Sequence, residues 1–273
     1  MDSSRYTPDD RRNAIRNRLL VRGSLRVEDL ARELNVSVAT VRRDLAALEH
    51  DGFVQRTHGG AMVDTPRGAD QAFSLREQTD QGAKRAIARA AAGLVKTERT
   101  LFLNDGSTML AFARELVSLD LSVTVATCGI NVATTLSENA TIQAFLAGGL
   151  VRHKTLGTTG GFVEQMLSVM HADIAFIAAE GLDAKDGMTF SHEDDARIAR
   201  AMSQRANRTV VLATQRKLSD HDCFTAFGPD KIDLLITDCQ DATLLQPFKD
   251  AGIKILVADD DELDVRSQNT SAA

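Results

Sequence analysis

Residues 25–62 read LRVEDLARELNVSVATVRRDLAALEHDGFVQRTHGGAM. Apolar side chains in the first part of this stretch recur at intervals of three and four, which predicts two amphipathic helices in succession. These apolar positions are Val27, Leu30, Ala31, Leu34, Val38, Val41, Leu45 and Leu48. Ser37 can cap the second helix at its N-terminus, and Gly52 follows its end. The run 53–63 then predicts two short strands joined by a turn at 58–60.

A further helix is predicted upstream, in residues 11–23, because Ile15 and Leu19 are four residues apart and Gly23 can stop the helix. Three helices and a hairpin within residues 1–63 are typical of a winged helix-turn-helix, whose third helix enters the major groove of DNA. The alternative interpretation of this segment is a helical module for dimerisation or protein binding.

The third predicted helix carries small and cationic side chains away from its apolar face. Ala39 and Thr40 are small enough to let the backbone approach DNA. Arg42 and Arg43 can each contact a guanine edge or a phosphate through paired hydrogen bonds. Two further side chains in the hairpin can reach the flanking DNA backbone or the minor groove. We therefore expect the DNA contacts to come from Ser37, Ala39, Thr40, Arg42, Arg43, Arg56 and His58.

The composition is that of an ordinary globular protein, with 43% hydrophobic and 26% charged residues in a chain of 273. This balance excludes a disordered and a fibrous chain, and no run approaches the ~18 apolar residues of a membrane span. The polar N-terminus, which carries both charges, is unlike a secretory signal. Three scattered cysteines without a CxxC pair favour a reducing cytoplasm.

Charge is divided unevenly along the chain. Residues 1–62 contain eleven Arg, no Lys and nine acidic residues, hence a formal charge of +2. The remaining residues carry 21 basic and 29 acidic groups, hence a charge of −8. A slightly basic head on an acidic body is consistent with an anion-binding N-terminal module. Because the excess is small, charge alone does not separate this interpretation from chance.

Beyond a polar stretch at 64–72, short apolar runs alternate with helical patterns. We interpret 64–72 as a linker, 73–264 as a second domain and 265–273 as a disordered tail. The predicted strands are 101–104, 123–127, 142–147, 173–179, 209–214, 234–238 and 253–258. The predicted helices are one long segment at 74–96 and shorter ones at 108–117, 130–138, 161–170, 193–207 and 241–251. This alternation predicts an α/β fold with a mostly parallel sheet covered on both faces.

Polar and glycine-rich loops follow several of the predicted strands. In open α/β sheets, ligands bind at the carboxyl ends of strands, and backbone N–H groups at a helix N-terminus can hold a phosphate. Together the loops predict a pocket for a small polar anion, although ordinary turn glycines explain each loop taken alone. The loop residues are Asp105, Gly106, Ser107, Thr108, Thr127, Cys128, Gly129, Gly148, Gly149, Gly181, Asp183 and Gly187.

Other ligand classes are not indicated by the sequence. No GxGxxG or GxxxxGK[ST] motif is present, so we expect no nucleotide cofactor. The histidines lack metal-binding spacing, and the run HEDD at 192–195 is better explained as the start of a helix, where acidic residues favour the helix dipole. We therefore expect no metal, no cofactor and no contact with a membrane.

The N-terminal stretch resembles the DNA-binding domain of the DeoR family of bacterial transcriptional regulators. The similarity rests on V-S-x-x-T-x-R-R-D-L at 36–45 and on L-E-x-x-G-x-x-x-R-x-H-G-G-A at 48–61. One departure is Arg26, which stands where the family usually has a Ser or Thr cap before the second helix. The loss of such a cap costs about 1 kcal/mol.

The similarity extends over roughly residues 10–260 and implies a sensor domain with the fold of ribose-5-phosphate isomerase and the coenzyme A transferases. The motifs of the family imply an effector pocket for a phosphorylated sugar or a related metabolite. Carried over position by position, this pocket contains the loop residues named above together with Asp195 and Lys217. The chain departs from the family where Cys128 replaces an Asn, Asp195 a Glu and Thr214 an Asp.

These features predict a repressor of a carbohydrate-metabolism operon. We expect it to bind DNA as a dimer or tetramer, because one winged helix contacts too few bases to specify a site in a genome. No catalysis is expected, since Thr214 cannot act as a base. Nor does the sequence give a reason for Asp105, Asp183 or Asp195 to be tuned as one. The main alternative is a sugar-phosphate isomerase or transferase with an accessory helical domain, and a protein-binding adaptor is a third interpretation.

Overall fold

The computed structural model describes residues 7, 11–15, 18, 24–50, 54–57, 60–63 and 73–259. The chain forms two compact units, which divide between Arg67 and Gly68. The predicted linker 64–72 and tail 265–273 lie outside the described residues. Within the described residues, no helix is long and apolar enough to cross a membrane.

The N-terminal unit combines helices with a three-stranded antiparallel sheet. Its helices are α1 (Val27–Leu34) and α2 (Val38–His50), and residues 11–15 are also helical. Its strands are β1 (Ser24–Arg26), β2 (Val54–Thr57) and β3 (Gly60–Val63), in the order β1-β3-β2. Helix α2 is thus the third helix of the predicted winged helix-turn-helix, and the sheet forms the wing.

Strand β1 is not predicted from the sequence, because three residues directly before a helix carry no strand pattern of their own. It pairs with β3, and Arg26 lies opposite Gly60. Gly60, which we expected in the hairpin turn, therefore belongs to a strand. The remaining turn and helix-end positions predicted for this unit lie outside the described residues, namely Leu19, Gly23, Gly52, His58 and Gly59.

The connection between α1 and α2 follows from local chemistry. Asn35 takes a left-handed conformation with φ 52° and ends α1, a role that Asn fills readily. The Ser37 hydroxyl accepts a hydrogen bond from the Thr40 N–H at 3.1 Å, so the predicted cap of α2 is confirmed. Arg26 precedes α1 without a side-chain cap, as its departure from the family pattern predicts.

The two helices bury the apolar stripe predicted from their spacing. The core of this unit consists of Ile15, Val27, Leu30, Ala31, Leu34, Val41, Leu45, Leu48 and Val54. Val38 is only partly buried and packs against the edge of this cluster. The stripe fixes which side of α2 faces inward, and it leaves the opposite side to solvent.

The C-terminal unit is built on a seven-stranded sheet in which every pairing is parallel. The sheet order is β15-β14-β12-β9-β4-β5-β6. The strands are β4 (Thr100–Leu103), β5 (Val123–Thr127), β6 (Ile142–Leu146), β9 (Ala172–Ala178), β12 (Ala206–Leu212), β14 (Leu234–Thr237) and β15 (Lys254–Val257). All seven predicted strands are present, so the predicted α/β architecture is confirmed.

Helices cover both faces of this sheet, as parallel strands require. The first face is covered by α3 (Phe73–Gln78), α4 (Gln81–Ala92), α5 (Ser107–Val117) and α6 (Ile130–Leu136). The second face is covered by α7 (Gly161–Ser168), α8 (Glu193–Gln204) and α9 (Ala242–Asp250). The ring centroids of Phe112 and Phe176 lie 4.6 Å apart in the first layer, and aliphatic residues fill most of the rest.

The single helix predicted at 74–96 is wrong, because the chain forms α3 and α4 instead. Asp80 breaks the helix with a left-handed φ of 52°. The buried Lys84 ammonium then donates to the carbonyl of Thr79 at 2.6 Å and to that of Arg76. A side chain from α4 therefore satisfies the carbonyl groups that the end of α3 leaves open.

Several short strands were also missed, because their three or four residues show no clear alternation. They are β7 (Leu150–Arg152) and β8 (Gly157–Thr159), which form a hairpin, and β10 (Gly181–Asp183), β11 (Gly187–Phe190) and β13 (Phe224–Phe227), which form a small antiparallel sheet. Gly187 turns between β10 and β11 at φ 78°. A Cβ at this position would overlap the backbone of Phe227 and Gly228.

Two central strands are joined at their carboxyl ends by one amide side chain. Asn104 donates from Nδ2 to the Ala178 carbonyl at 3.2 Å, and its Oδ1 accepts from the Ala178 N–H at 2.8 Å. Both residues are buried, so the side chain completes the ladder between β4 and β9. The loops that follow these strands consequently start side by side.

We expect Asn104→Ala to destabilise the C-terminal unit by about 2–5 kcal/mol, because both polar groups of Ala178 would be buried without a partner. Urea unfolding measures the change. Asn207→Ala is the matched control, since this exposed Asn contacts only the His171 ring in the described structure and should cost less than about 1 kcal/mol. Equal losses in both variants would contradict the role given to Asn104.

Candidate functional sites: a nucleic-acid interface and an anion pocket

The outward face of α2 carries the arginines predicted to contact DNA. Arg42 and Arg43 are exposed, and neither forms an ion pair within the described residues. Ala39 is exposed beside them, so the backbone there is open to a close approach. The hydroxyl groups of Ser37 and Thr40 lie 2.8 Å apart and belong to the N-terminal cap of α2.

Of the two hairpin residues predicted to contact DNA, only Arg56 lies within the described residues. Arg56 lies in β2 opposite Ala61, while His58 lies outside the described residues. Their contribution to DNA binding therefore stays a prediction. The described interface consists of one face of α2.

A buried ion pair between Arg11 and Asp44 holds α2 in place on the side away from its outward face. The Arg11 guanidinium donates to both carboxylate oxygens of Asp44, with Nε 2.5 Å from Oδ2 and Nη2 3.1 Å from Oδ1. The Asp44 side chain is 5% exposed. A bidentate pair fixes both position and angle, so it ties the helical segment 11–15 to the middle of α2.

In the C-terminal unit, the loops after β4 and β5 meet the β7–β8 hairpin. A Cβ added to Gly157 would overlap the Asp105 carboxylate, and one added to Gly129 would lie 3.3 Å from the Asp105 Cα. The Cys128 carbonyl accepts from the Thr158 N–H at 2.8 Å. Three glycine-containing segments that are distant in sequence therefore converge on Asp105.

Next to this point, Arg152 of β7 forms an ion pair with Asp195 in the first turn of α8. Burial and then the charge of Asp105 raise the pKa of the Asp195 carboxyl to about 6, although Arg152 acts in the opposite direction. Burial, with Asp105 and Asp195, also raises the pKa of the Cys128 thiol. The Arg152 Nε is buried and has no hydrogen-bond partner among the described residues.

A second charged group consists of three cations that lie close enough to interact, Arg76, Lys84 and Lys217. Burial lowers the pKa of Lys217, and the charge of Arg76 lowers it further, while Glu180 opposes the shift. Burial likewise lowers the pKa of Lys84 to about 8, with smaller contributions from Arg76 and Lys217. Nε and Nη2 of Arg76 are buried and lack a hydrogen-bond partner among the described residues.

Glu180 connects the two halves of this pocket. It follows β9, and its carboxylate accepts from the Ser191 N–H and hydroxyl, both at 3.0 Å. Its charge opposes the lowered pKa of Lys217 and contributes to the raised pKa of Asp195. The acidic group around Asp105 and the cations around Arg76 thus face one region at the carboxyl ends of the central strands.

Some predicted pocket residues have a clear structural role. The Thr127 hydroxyl accepts from the Gly129 N–H at 3.0 Å, and Asp183 accepts from the N–H groups of Lys185 and Asp186 in the β10–β11 turn. Gly149 allows close contact with the Thr159 backbone. Gly148 is exposed, Gly181 and Gly187 belong to the hairpin, and the helix start predicted for 192–195 is confirmed.

The remaining loop residues stand where the sequence predicts. Asp105 follows β4, Gly106 takes φ 120° before α5, and Ser107 and Thr108 form the first turn of that helix. Four charged residues of this region are not predicted from the sequence, namely Arg76, Lys84, Arg152 and Glu180. No spacing could have found them, because only the strand order and the α3–α4 break bring these residues to the pocket.

We expect the Asp195 carboxyl to titrate near pH 6. Because its pKa is 3.8 in an unfolded chain and about 6 in the folded one, it stabilises the fold fully below the unfolded pKa and loses this contribution as the pH rises through about 6. Asp105→Asn should lower the midpoint and Arg152→Gln should raise it. Carbon-detected NMR of the Asp195 carboxyl measures both, and Asp194→Asn is the control that should leave it unchanged.

Family models match both units. A model described as the DeoR C-terminal sensor domain matches residues 79–239, and one described as the DeoR-like helix-turn-helix domain matches residues 11–67. Among solved structures, the chain matches ribose 5-phosphate isomerase A from Methanocaldococcus jannaschii with a TM-score of 0.39 and 20% identity, over 51% of this chain and 55% of that chain.

Curated relatives extend over almost the whole chain. The HTH-type transcriptional regulator GolR of Listeria innocua is 33% identical over 92% of this chain and 99% of its own length. The HTH-type transcriptional repressor GlcR of Bacillus subtilis is 33% identical over 93% and 98%. The putative aga operon transcriptional repressor of Escherichia coli O157:H7 is 30% identical over 91% and 93%. The chain belongs to the DeoR family of transcriptional regulators.

Proposed function

We propose that this chain represses a carbohydrate-metabolism operon and that a phosphorylated sugar, or a related metabolite, controls its binding to the operator. The observation that carries the DNA-binding part is the outward face of α2, where Arg42 and Arg43 stand beside the small Ala39. The names of two relatives, which are repressors, support the direction of the regulation.

The effector would bind in the pocket at the carboxyl ends of β4, β5 and β9. Lys217 and Arg76 are the groups suited to its phosphate, because Arg76 has two buried donors without a partner among the described residues. The first turn of α5, at Ser107 and Thr108, adds backbone donors that favour an anion. The opposite side, with Asp105 and the Arg152–Asp195 pair, offers acceptors and one donor to sugar hydroxyl groups.

Control of DNA binding would then follow from linkage. An effector that binds more tightly to one of two conformations of the regulator shifts the population towards that conformation. The size of the shift equals the difference between the two binding free energies. An oligomer, either a dimer or a tetramer, would present two recognition helices to a two-fold symmetric operator.

We further propose that the chain has no isomerase activity. The sequence gives no reason for a carboxyl group to be tuned as a base, but burial and then the charge of Asp105 raise the pKa of Asp195 to about 6. This carboxylate is, however, engaged by Arg152. Position 214, where the family has an acid, holds a buried Thr that cannot accept a substrate proton.

The protein would act in a reducing cytoplasm and need no metal or cofactor. Its three cysteines form no disulfide, and Cys128 and Cys239 are buried. In the described residues, no group of three potential metal ligands lies together. The site needs only side-chain and backbone contacts to bind an anion.

Replacing the α2 arginines should weaken operator binding. An Arg that reads a base contributes about 1–3 kcal/mol and sequence preference, whereas one that contacts phosphate also contributes to the salt dependence. Fluorescence titration of Arg42→Ala and Arg43→Ala, at several salt concentrations and on a duplex selected from a random pool, separates these roles. Arg32→Ala on α1 is the matched control. Unchanged affinity in the double Arg42→Ala, Arg43→Ala variant would reject α2 as the recognition helix.

Phosphorylated sugars should raise the melting temperature of the full chain, whereas the same sugars without phosphate should not. A ligand that binds only the folded state at 100 times its Kd adds about 2.7 kcal/mol. Lys217→Ala and Arg76→Ala should each lower the affinity for the phosphorylated sugar about tenfold or more, since charge-assisted hydrogen bonds contribute about 1.5–3 kcal/mol. Lys231→Ala, an exposed lysine, is the control. Equal responses to a sugar and its phosphate would refute the anion pocket.

A further inference from the structure

One edge of the sensor sheet carries a cluster of exposed apolar side chains. Among the described residues, nine large apolar side chains are exposed, and six of them fall between 145 and 169. These six, here called the apolar edge, are Phe145, Leu146, Leu150, Val151, Phe162 and Val169. Exposure reaches 72% at Leu150, 75% at Phe162 and 79% at Val169. Clusters of this kind mark interaction surfaces.

The apolar edge is continuous along the fold. Strand β6 leads directly into β7, where Leu150 pairs with Thr159 of β8. Phe162 follows Thr159 by three residues, at the start of α7. Phe162 and Val169 are seven residues apart and therefore project from the same side of this helix. The second-face side of β6 at Phe145, the hairpin and α7 thus follow one another along the chain, whereas Leu146 lies on the side of β6 that faces the first layer.

The two faces of the sheet are covered unequally near this surface. On the first face, Val125 and Ile142 are buried in the core with α5 and α6. On the second face of the same two strands, Thr124 is half-buried, Gln143 is exposed and Phe145 is 40% exposed. Ala126, which lies opposite Phe145 on this face, is buried in the same core as Val163 and Leu167 of α7, so among the described residues the exposed part of the second face is its outer margin on β6, although parallel sheets are normally covered on both sides.

We propose that a second copy of this chain docks on the apolar edge, related to the first by a two-fold axis. A two-fold axis brings a surface against itself, so charged side chains near the axis would repel their own copies. The run 142–151, IQAFLAGGLV, contains no charged residue. Strand β6 is the last strand of the sheet, and an unprotected edge of this kind needs a partner.

The size and composition of the surface fit the same partner. A standard interface buries about 800 Å² on each partner, with an apolar core and a polar rim. Six large apolar side chains can form such a core, and the Thr124–Gln143 pair, with oxygens 3.4 Å apart, is suited to its rim. Nucleic acid is not a suitable occupant, because it requires cations that this run lacks.

The opposite edge of the sheet is protected. Strand β15 has an exposed Lys254 within it, and a lysine in an edge strand opposes pairing with another chain. Its two exposed apolar residues are less exposed than most of the apolar edge, with Leu256 at 37% and Val257 at 40%. This edge therefore provides matched control positions for a test of the interface.

The inference rests on the proposed function only in supplying the two copies that a symmetric operator requires. Assembly itself is measured without DNA, by sedimentation velocity of the full chain over a dilution series. Phe162→Glu and Leu150→Glu should each weaken self-association at least about thirtyfold, the effect of losing a central contact of about 2 kcal/mol. Val257→Glu should leave it unchanged. Because all three positions are exposed, thermal melting should confirm that the variants fold.

Hydrogen exchange provides the second measurement. The amides of 142–151 should exchange more slowly as the wild-type concentration rises, and this effect should disappear in Phe162→Glu. A monomeric wild type, or self-association lost only in Val257→Glu, would overturn the proposal. Protection of 142–151 that does not vary with concentration would indicate coverage by the same chain and would also overturn it. Failure of the wild type to bind any DNA would instead reject the proposed function while leaving the assembly result valid.

Discussion

The hydrogen bonds between the Asn104 side chain and the Ala178 backbone set the geometry from which the pocket is built. They align the carboxyl ends of β4 and β9, so Asp105 and Glu180 start their loops from neighbouring points. Asp105 then lies against Gly157 of the hairpin, and Glu180 holds Ser191 just before α8. The starting points of the loops that carry Asp105 and Glu180 can be traced to this one contact between two central strands.

The pocket keeps charges of both signs in a partly buried space, and this arrangement has an energetic cost. Acidic groups accumulate on one side, where burial and Asp105 together hold the pKa of Asp195 at about 6. Cations accumulate on the other side, where burial lowers the pKa of both Lys84 and Lys217. Lys84 is compensated by two carbonyl groups, whereas Nε and Nη2 of Arg76 have no hydrogen-bond partner among the described residues and the guanidinium lies over the Phe73 ring. An anion beside Arg76 would reduce this cost, since a charge without a counter-charge is the most expensive group to bury.

The sequence predicts the parts of this protein whose determinants are local. Helical spacing locates the buried stripe of α1 and α2, and apolar runs locate all seven strands of the parallel sheet, because each signal lies within a few residues. The sequence does not predict contacts between residues that only the folded chain brings together. The α3–α4 break depends on Lys84 reaching back to Arg76, and Arg152 meets Asp195 across 43 positions of the chain. The loops that bear the pocket could be predicted, whereas half of its charges could not.

The position of Arg76 also defines where the sensor domain can be separated from the DNA-binding domain of the same chain. The sensor-domain model begins at residue 79, yet Phe73 is buried and its N–H donates to the Lys154 carbonyl at 2.9 Å. A biosensor that joins residues from 79 onwards to the DNA-binding domain of another protein would therefore lack α3. It would lose both the contact of Phe73 with Lys154 and the Arg76 cation. The transferable module starts ahead of Phe73, so recombination between members of this family should preserve response only when the crossover leaves α3 with its own sheet.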